Sequence, residues 1–232
     1  MNIELEAYKN QQYKVLGEFL HELKTPLSII RTHLETEISN EHIPLSVRKK
    51  IVMDVEEVAR LTQLIAQMKT LLSCDTTALV FTSSSLLALL VDVIELLNPL
   101  AQEKEQKLRF IAHENIDLEM DVDKCKQLFY NLIHNAIKYT PNKGSIEVNL
   151  SQTNEAITVR IEDDGIGIKV DEREAIFEQF YRGSNTTTQE GTGLGLALSK
   201  VIVEGHKGRI FVEEVDVKGS VFCVIFPKVS CR

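Results

Sequence analysis

The sequence predicts a two-part chain: a helical hairpin that pairs with a second copy to form a four-helix bundle, followed by an α/β sandwich. Three observations carry this. Residues 16–72 hold two long heptad seams, the pattern changes after about Thr76 to short β-rich runs mixed with amphipathic helices, and a polar turn divides the two seams.

The first seam is Leu16, Leu20, Leu23, Leu27, Ile30 and Leu34, spaced by four and three. The second is Ile51, Val55, Val58, Leu61, Ile65, Met68 and Leu72. Between them Ser39–Ser46 carries Pro44 and polar residues, as a helix–helix turn requires. Two helices bury too little apolar surface to stand alone, and doubling them into a bundle solves this, so a homodimer is expected. The first domain is assigned to residues 1–73 and the second to residues 77–228. In the second, LVFTS, LRFIA, SIEVNL, AITVRIED, GRIFVEE and SVFCVIF read as strands. Leu86–Gln102, Val122–Tyr139 and Leu194–Glu204 read as helices. Strands mixed with helices point to a mixed sheet with helices over one face.

Composition narrows the function. A formal net charge of -8 argues against a nucleic-acid binder, which needs a basic face. No run approaches the ~20 apolar residues of a membrane span, so no membrane contact by this chain is expected. Cys74, Cys125, Cys223 and Cys231 are scattered without metal-ligand spacing and read as reduced thiols. The expected location is the cytoplasm, either as a free protein or as the soluble portion of a membrane-bound sensor.

The chemical signals come in order along the chain. With Leu20 and Leu23 facing the bundle core, His21 falls on the solvated side, beside Glu22. Thr25 lies one turn on, and Pro26 then interrupts the backbone ladder. A neutral imidazole is a good nucleophile near pH 7. Its attack on phosphorus leaves positive charge on the ring, and a neighbouring carboxylate can take the other ring proton. On the helix Val122–Tyr139, Asn131 and Asn135 share a face, with Lys138 three residues beyond. A carboxamide oxygen suits Mg²⁺, and the lysine can meet a phosphate. EDDGIGI follows a strand: Asp163 can accept a hydrogen bond from an exocyclic amine, and Gly165 and Gly167 let the backbone pass close to a ligand. IFEQFYRG offers Phe177, Phe180 and Arg182. GTGLGL opens the last helix with Gly191, Thr192, Gly193, Leu194 and Gly195, exposing amide N–H groups and the positive dipole end to phosphate. It lacks the preceding strand of a dinucleotide fingerprint and the Lys-Ser/Thr of a Walker loop.

These five strings resemble, in order, the phosphoacceptor, asparagine, first glycine, phenylalanine and second glycine boxes of sensor histidine kinases. The resemblance runs from about Leu16 to Phe226. One departure stands: a small residue usually precedes the histidine, and here it is Leu20. The resemblance implies the α/β sandwich ATPase fold shared with gyrase, the Hsp90 chaperone and mismatch-repair ATPases. It implies ATP and Mg²⁺ as cofactors. His21 would accept the phosphoryl group with Glu22 as acid/base, and Asn135 would hold Mg²⁺ with Asn131 in support. Lys138 would contact phosphate, Tyr139 would pack near the base, Asp163 would read adenine and Gly191–Gly195 would cradle the phosphates. A response-regulator receiver aspartate would take the group onward, with Thr25 serving a phosphatase activity toward that partner. A non-catalytic nucleotide-binding scaffold and a plain ATPase are the rival readings; the intact His21, Glu22, Asn135 and Asp163 argue against the first and the phosphoacceptor box against the second. His33, His42, His113, His134 and His206 are expected to be structural or solvent-facing.

Overall fold

The computed structural model describes residues 20, 23–38, 43–72, 79–184, 192–214 and 219–228. The chain divides into two compact units, Met1–Asp75 and Thr76–Arg232.

The first unit contains helix α1, residues 23–38 among those described, and α2, Leu45–Leu72. On α1 the hydroxyls of Ser28, Thr32 and Thr36 each donate to the carbonyl four residues back, at 2.9, 2.9 and 2.7 Å. Arg31 pairs with Glu35 one turn on, at 2.7 Å. Pro44 ends the connection, and its carbonyl accepts from the first-turn amides of Val47 and Arg48. The seams are only partly covered: Leu20 and Val58 are buried, while Leu23, Leu27, Leu34, Ile51, Val55, Ile65 and Met68 are half-buried and Ile30 and Leu61 exposed.

The second unit runs β1 (Thr82–Ser85), α3 (Leu86–Glu103), β2 (Lys107–Ala112), β3 (Asp117–Met120), α4 (Val122–Tyr139), β4 (Ser145–Gln152), β5 (Ala156–Asp163), two 3₁₀ turns (Val170–Glu172 and Ala175–Phe177), α5 (Gly195–Gly205), β6 (Arg209–Val212) and β7 (Ser220–Pro227). The main sheet has the order β2-β4-β5-β7-β6, with β2 parallel to β4 and the remaining neighbours antiparallel. A separate two-stranded ribbon pairs β1 with β3. The sequence reading missed β3: its Asp117-Leu118-Glu119-Met120 alternation matches a strand, but over only four residues.

Local chemistry explains the helix ends. Ser85 caps α3 by accepting from Ala88 N at 3.0 Å. Asp121 caps α4, taking Lys124 N on one oxygen at 3.1 Å and Val80 N on the other at 3.1 Å. Asp123 in the first turn of α4 and Lys138 in the last both complement the helix dipole. One face of the sheet is apolar by strict alternation: Ile146, Val148 and Leu150 on β4 and Ile157, Val159 and Ile161 on β5 are buried. Helices α3, α4 and α5 pack in sequence over it. Phe129 of α4 meets Phe226 of β7 edge to face, with centroids 6.5 Å apart. Both are fully buried, and each such side chain stabilises the unit by about 1.5–3 kcal/mol.

His206 and His134 gain specific surroundings. His206 closes α5, its Nδ1 2.7 Å from Ile202 O while its Nε2 accepts from Asp121 N at 3.0 Å. His134 stacks flat on Tyr130 one turn earlier, at 5.6 Å.

Candidate functional site

Strand β5 ends in Asp163, 5% exposed. One carboxylate oxygen accepts from Gly165 N at 2.9 Å and the other from the Ser220 hydroxyl at 2.5 Å. Ser220 faces Asp163 because β5 and β7 pair in that register. Burial pushes the Asp163 carboxyl above its ordinary value, against the pull of the Ser220 and Gly165 donors. Preceding Ser220 is Gly219, with φ +115°; a Cβ there would sit 1.8 Å from Asp163 O, so no side chain fits. The sequence reading missed Ser220 and Gly219. Their only signal was a Gly-Ser pair at the mouth of a strand, indistinguishable from an ordinary turn.

Helix α4 supplies the second wall. Asn131 is nearly buried, and its side-chain amide donates to Gly195 O at 3.4 Å, joining segments 64 residues apart in sequence. Gly195 O also accepts from the Ser199 hydroxyl at 2.9 Å. Asn135, Lys138 and Tyr139 follow on α4, all half-buried, and the Lys138 ammonium lies 5.1 Å from the Tyr139 ring centre. Burial raises the Tyr139 hydroxyl, and the Arg182 guanidinium nearby opposes that rise. The carbonyl of Tyr139 presses against Gly165, where a Cβ would approach it to 2.7 Å. The end of α4 and the Asp163 turn therefore abut.

The third wall is the start of α5. Gly193 is left-handed, with φ +69°, and a Cβ on it would strike Phe180 C at 2.6 Å. Its carbonyl accepts from Phe180 N at 3.0 Å, and Phe180 is itself left-handed, at φ 64°. The Thr192 hydroxyl accepts from Leu194 N at 3.3 Å. Leu194 is buried, so its side chain anchors the helix start and only its backbone is available to a ligand. Glu172, also absent from the sequence reading, takes Ser184 N at 2.9 Å. The Ser184 donors hold the Glu172 carboxyl below its ordinary value.

The structure thus gathers Asn131, Thr192, Leu194 and Gly195 at one wall and Tyr139, Asp163 and Gly165 at another. Gly167, with φ +71°, backs onto Gly219. Gly191, His21 and Glu22 lie outside the described residues; Thr25 is exposed on α1 of the first unit. Among the described residues no group of three or more His, Cys, Asp and Glu could hold a metal. Asn135, a single neutral oxygen donor, fits a Mg²⁺ ion that keeps most of its ligands as phosphate oxygens and water.

Residues 120–230 match the family described as histidine kinase-, DNA gyrase B-, and HSP90-like ATPase. The adaptive-response sensory kinase SasA of Synechococcus sp. (strain JA-3-3Ab) is 35% identical over 227 residues, covering 92% of this chain and 59% of that protein. The full-length structure of ShkA in complex with AMPPNP superposes with a TM-score of 0.79, covering 92% of this chain and 45% of that one, at 23% identity. Histidine kinase ThkA, solved in complex with response regulator protein TrrA, gives a TM-score of 0.64 over 98% of this chain and 66% of that one, also at 23% identity. These two structural likenesses speak for the fold. The chain spans between 38% and 59% of the length of the curated kinases it matches. The family match over the second unit and the kinase relatives along most of the chain support its likeness to the catalytic core of sensor histidine kinases.

Proposed function

We propose that the chain is an ATP-dependent protein-histidine autokinase that phosphorylates His21 and passes the group to a response-regulator aspartate. The observation that carries this is a buried, doubly fixed Asp163 in the same unit where Asn131 meets Gly195. That arrangement offers Asp163 as a hydrogen-bond acceptor for the adenine amine, and the backbone amides that open α5, with Lys138 and Arg182, as donors to the phosphates. Bound Mg²⁺, held through Asn135, would supply charge neutralisation at the phosphates. The His21 imidazole attacks the terminal phosphorus, the bond to the ADP oxygen breaks and ADP leaves, while Glu22 takes the proton from the other ring nitrogen. A receiver domain would take the phosphoryl group from His21, as the solved pairing of ThkA with TrrA suggests by analogy. The half-covered seams of α1 and α2 support a homodimer built on a four-helix bundle. No helix of the described residues is long and apolar enough to cross a membrane, which suits a cytoplasmic core.

Incubation with γ-labelled ATP and Mg²⁺ tests the reading. It predicts label on the protein that is lost in acid and stable in alkali; acid-stable label, or none, would refute it. Thr25 is assigned a second task, orienting a water toward the receiver's aspartyl phosphate. Thr25→Ala should then keep the label yet lose most dephosphorylation of a purified phosphorylated regulator, and unchanged clearance would leave Thr25 structural.

A further inference from the structure

Helix α4 ends at Tyr139, and the last carbonyls of any helix lack partners within it. Here two side chains from the α3–β2 turn supply them. The Lys104 ammonium donates to Ile137 O at 2.7 Å, Lys138 O at 2.9 Å and Thr140 O at 3.1 Å, using all three of its protons. The Gln106 side-chain amide donates to Ile137 O at 3.0 Å, Thr140 O at 2.8 Å and, more weakly, Pro141 O at 3.3 Å. Between them Glu105 is left-handed, at φ 54°, which turns the chain so that both neighbours reach the same helix end. The backbone adds a return stitch, Lys143 N to Lys104 O at 2.9 Å. The nearby Glu105–Lys143 ion pair is mostly exposed at 3.7 Å and contributes little.

We infer that Lys104, assisted by Gln106, is a positioning residue for the nucleotide site, acting through the last turn of α4. The inference rests on the nucleotide-binding reading above. The clamped turn carries Lys138 and Tyr139, and Asn135 lies one turn before it. A cation at the negative end of a helix is favourable, and the partly buried setting of its three hydrogen bonds strengthens the effect. Burial lowers the Lys104 ammonium from its ordinary value, as expected for a cation drawn from water into such a cradle. The clamped turn also abuts the Asp163 turn, where the Tyr139 carbonyl faces Gly165. Asp163 itself is fixed on β5 by Ser220 and Gly165. Loosening the last turn should therefore misdirect Lys138 and Tyr139 relative to a fixed Asp163.

The test uses the full chain with Lys104→Met, which keeps an apolar stem and removes the charge, and Lys104→Arg, which restores it. Binding of Mg·ATP is measured for each by calorimetry or chemical-shift titration. Lys104→Met should weaken Mg·ATP about tenfold, the effect of losing a charged hydrogen-bonded group. Lys104→Arg should recover most of the loss. Parental Mg·ATP affinity in Lys104→Met, or an arginine variant as weak as methionine, would each overturn the inference. A parent chain that bound no ATP would refute the functional reading itself, and this inference with it.

Discussion

The two units solve the burial problem in opposite ways. In the second, the sheet's apolar face and three helices close on each other, and Phe129, Phe226, Leu128, Leu132 and Ile146 are sealed from water. In the first, two long helices leave Ile29, Leu45, Met53 and Leu61 exposed, the last of them a seam residue. The second unit buries its apolar face within one chain, with the candidate ligand site at the edge of that packing. The first leaves seam residues such as Ile30 and Leu61 uncovered within one chain, as the proposed pairing with a second copy requires. On the proposed reading, the closed geometry serves nucleotide binding and the uncovered seam serves assembly.

The sharpest way to break this contrast is to cut into each core. Phe129→Ala removes a fully buried ring and should cost the second unit about 3–5 kcal/mol, read as a lowered urea midpoint together with loss of ATP binding. Leu61→Ala, at a seam position 38% exposed in one chain, should leave that midpoint unchanged and instead weaken the dimer, read by sedimentation across concentrations. A dimer unaffected by Leu61→Ala, or a parent that is monomeric at micromolar concentration, would remove the reason for calling the first unit incomplete.

Next in size is Asp163→Asn. Losing a charged hydrogen bond costs about 1.5–3 kcal/mol, so ATP should bind roughly tenfold weaker or worse. The parent should also prefer ATP over GTP, because guanine places an acceptor where adenine offers a donor. Equal affinity for the two nucleotides would show that Asp163 does not read the base.

How much of this could be read beforehand depends on the length of the pattern. The bounds of α4 and β5 follow from long amphipathic or alternating runs, and α3 and β4 differ by only one or two residues at an end. β1 falls at Thr82–Ser85, shifted from the LVFTS run, because its pairing is set by β3, a strand too short to recognise alone. The site divides the same way. Asn131, Asp163 and Gly195 stood out because several polar or glycine residues recur at fixed spacing. Ser220, Glu172, Lys104 and Gln106 did not, since each acts on a segment at least 12 residues away, and only folding sets that pairing.

The smallest expected effect concerns His134. Burial first, then the Lys138 and Lys104 ammonium groups, lower its imidazole below the ordinary 6.5. The unfolded chain then takes up a proton that the fold resists. Stability should therefore fall as pH drops from about 6.5 toward the lowered value, and level off below it. His134→Gln should flatten the dependence of melting temperature on pH between about 7.5 and 5.5. An identical slope in parent and variant would place the acid sensitivity elsewhere.

The central claim is a division of labour, with ATP held by the second unit and the phosphoryl group received by the first. The direct measurement labels the intact protein with γ-labelled ATP and Mg²⁺, cleaves it between the units near residue 75, and asks which fragment carries the label. The account predicts label only on the Met1–Asp75 fragment, and none in a His21→Ala protein that still binds ATP. Label on the Thr76–Arg232 fragment, or label persisting in His21→Ala, would contradict it.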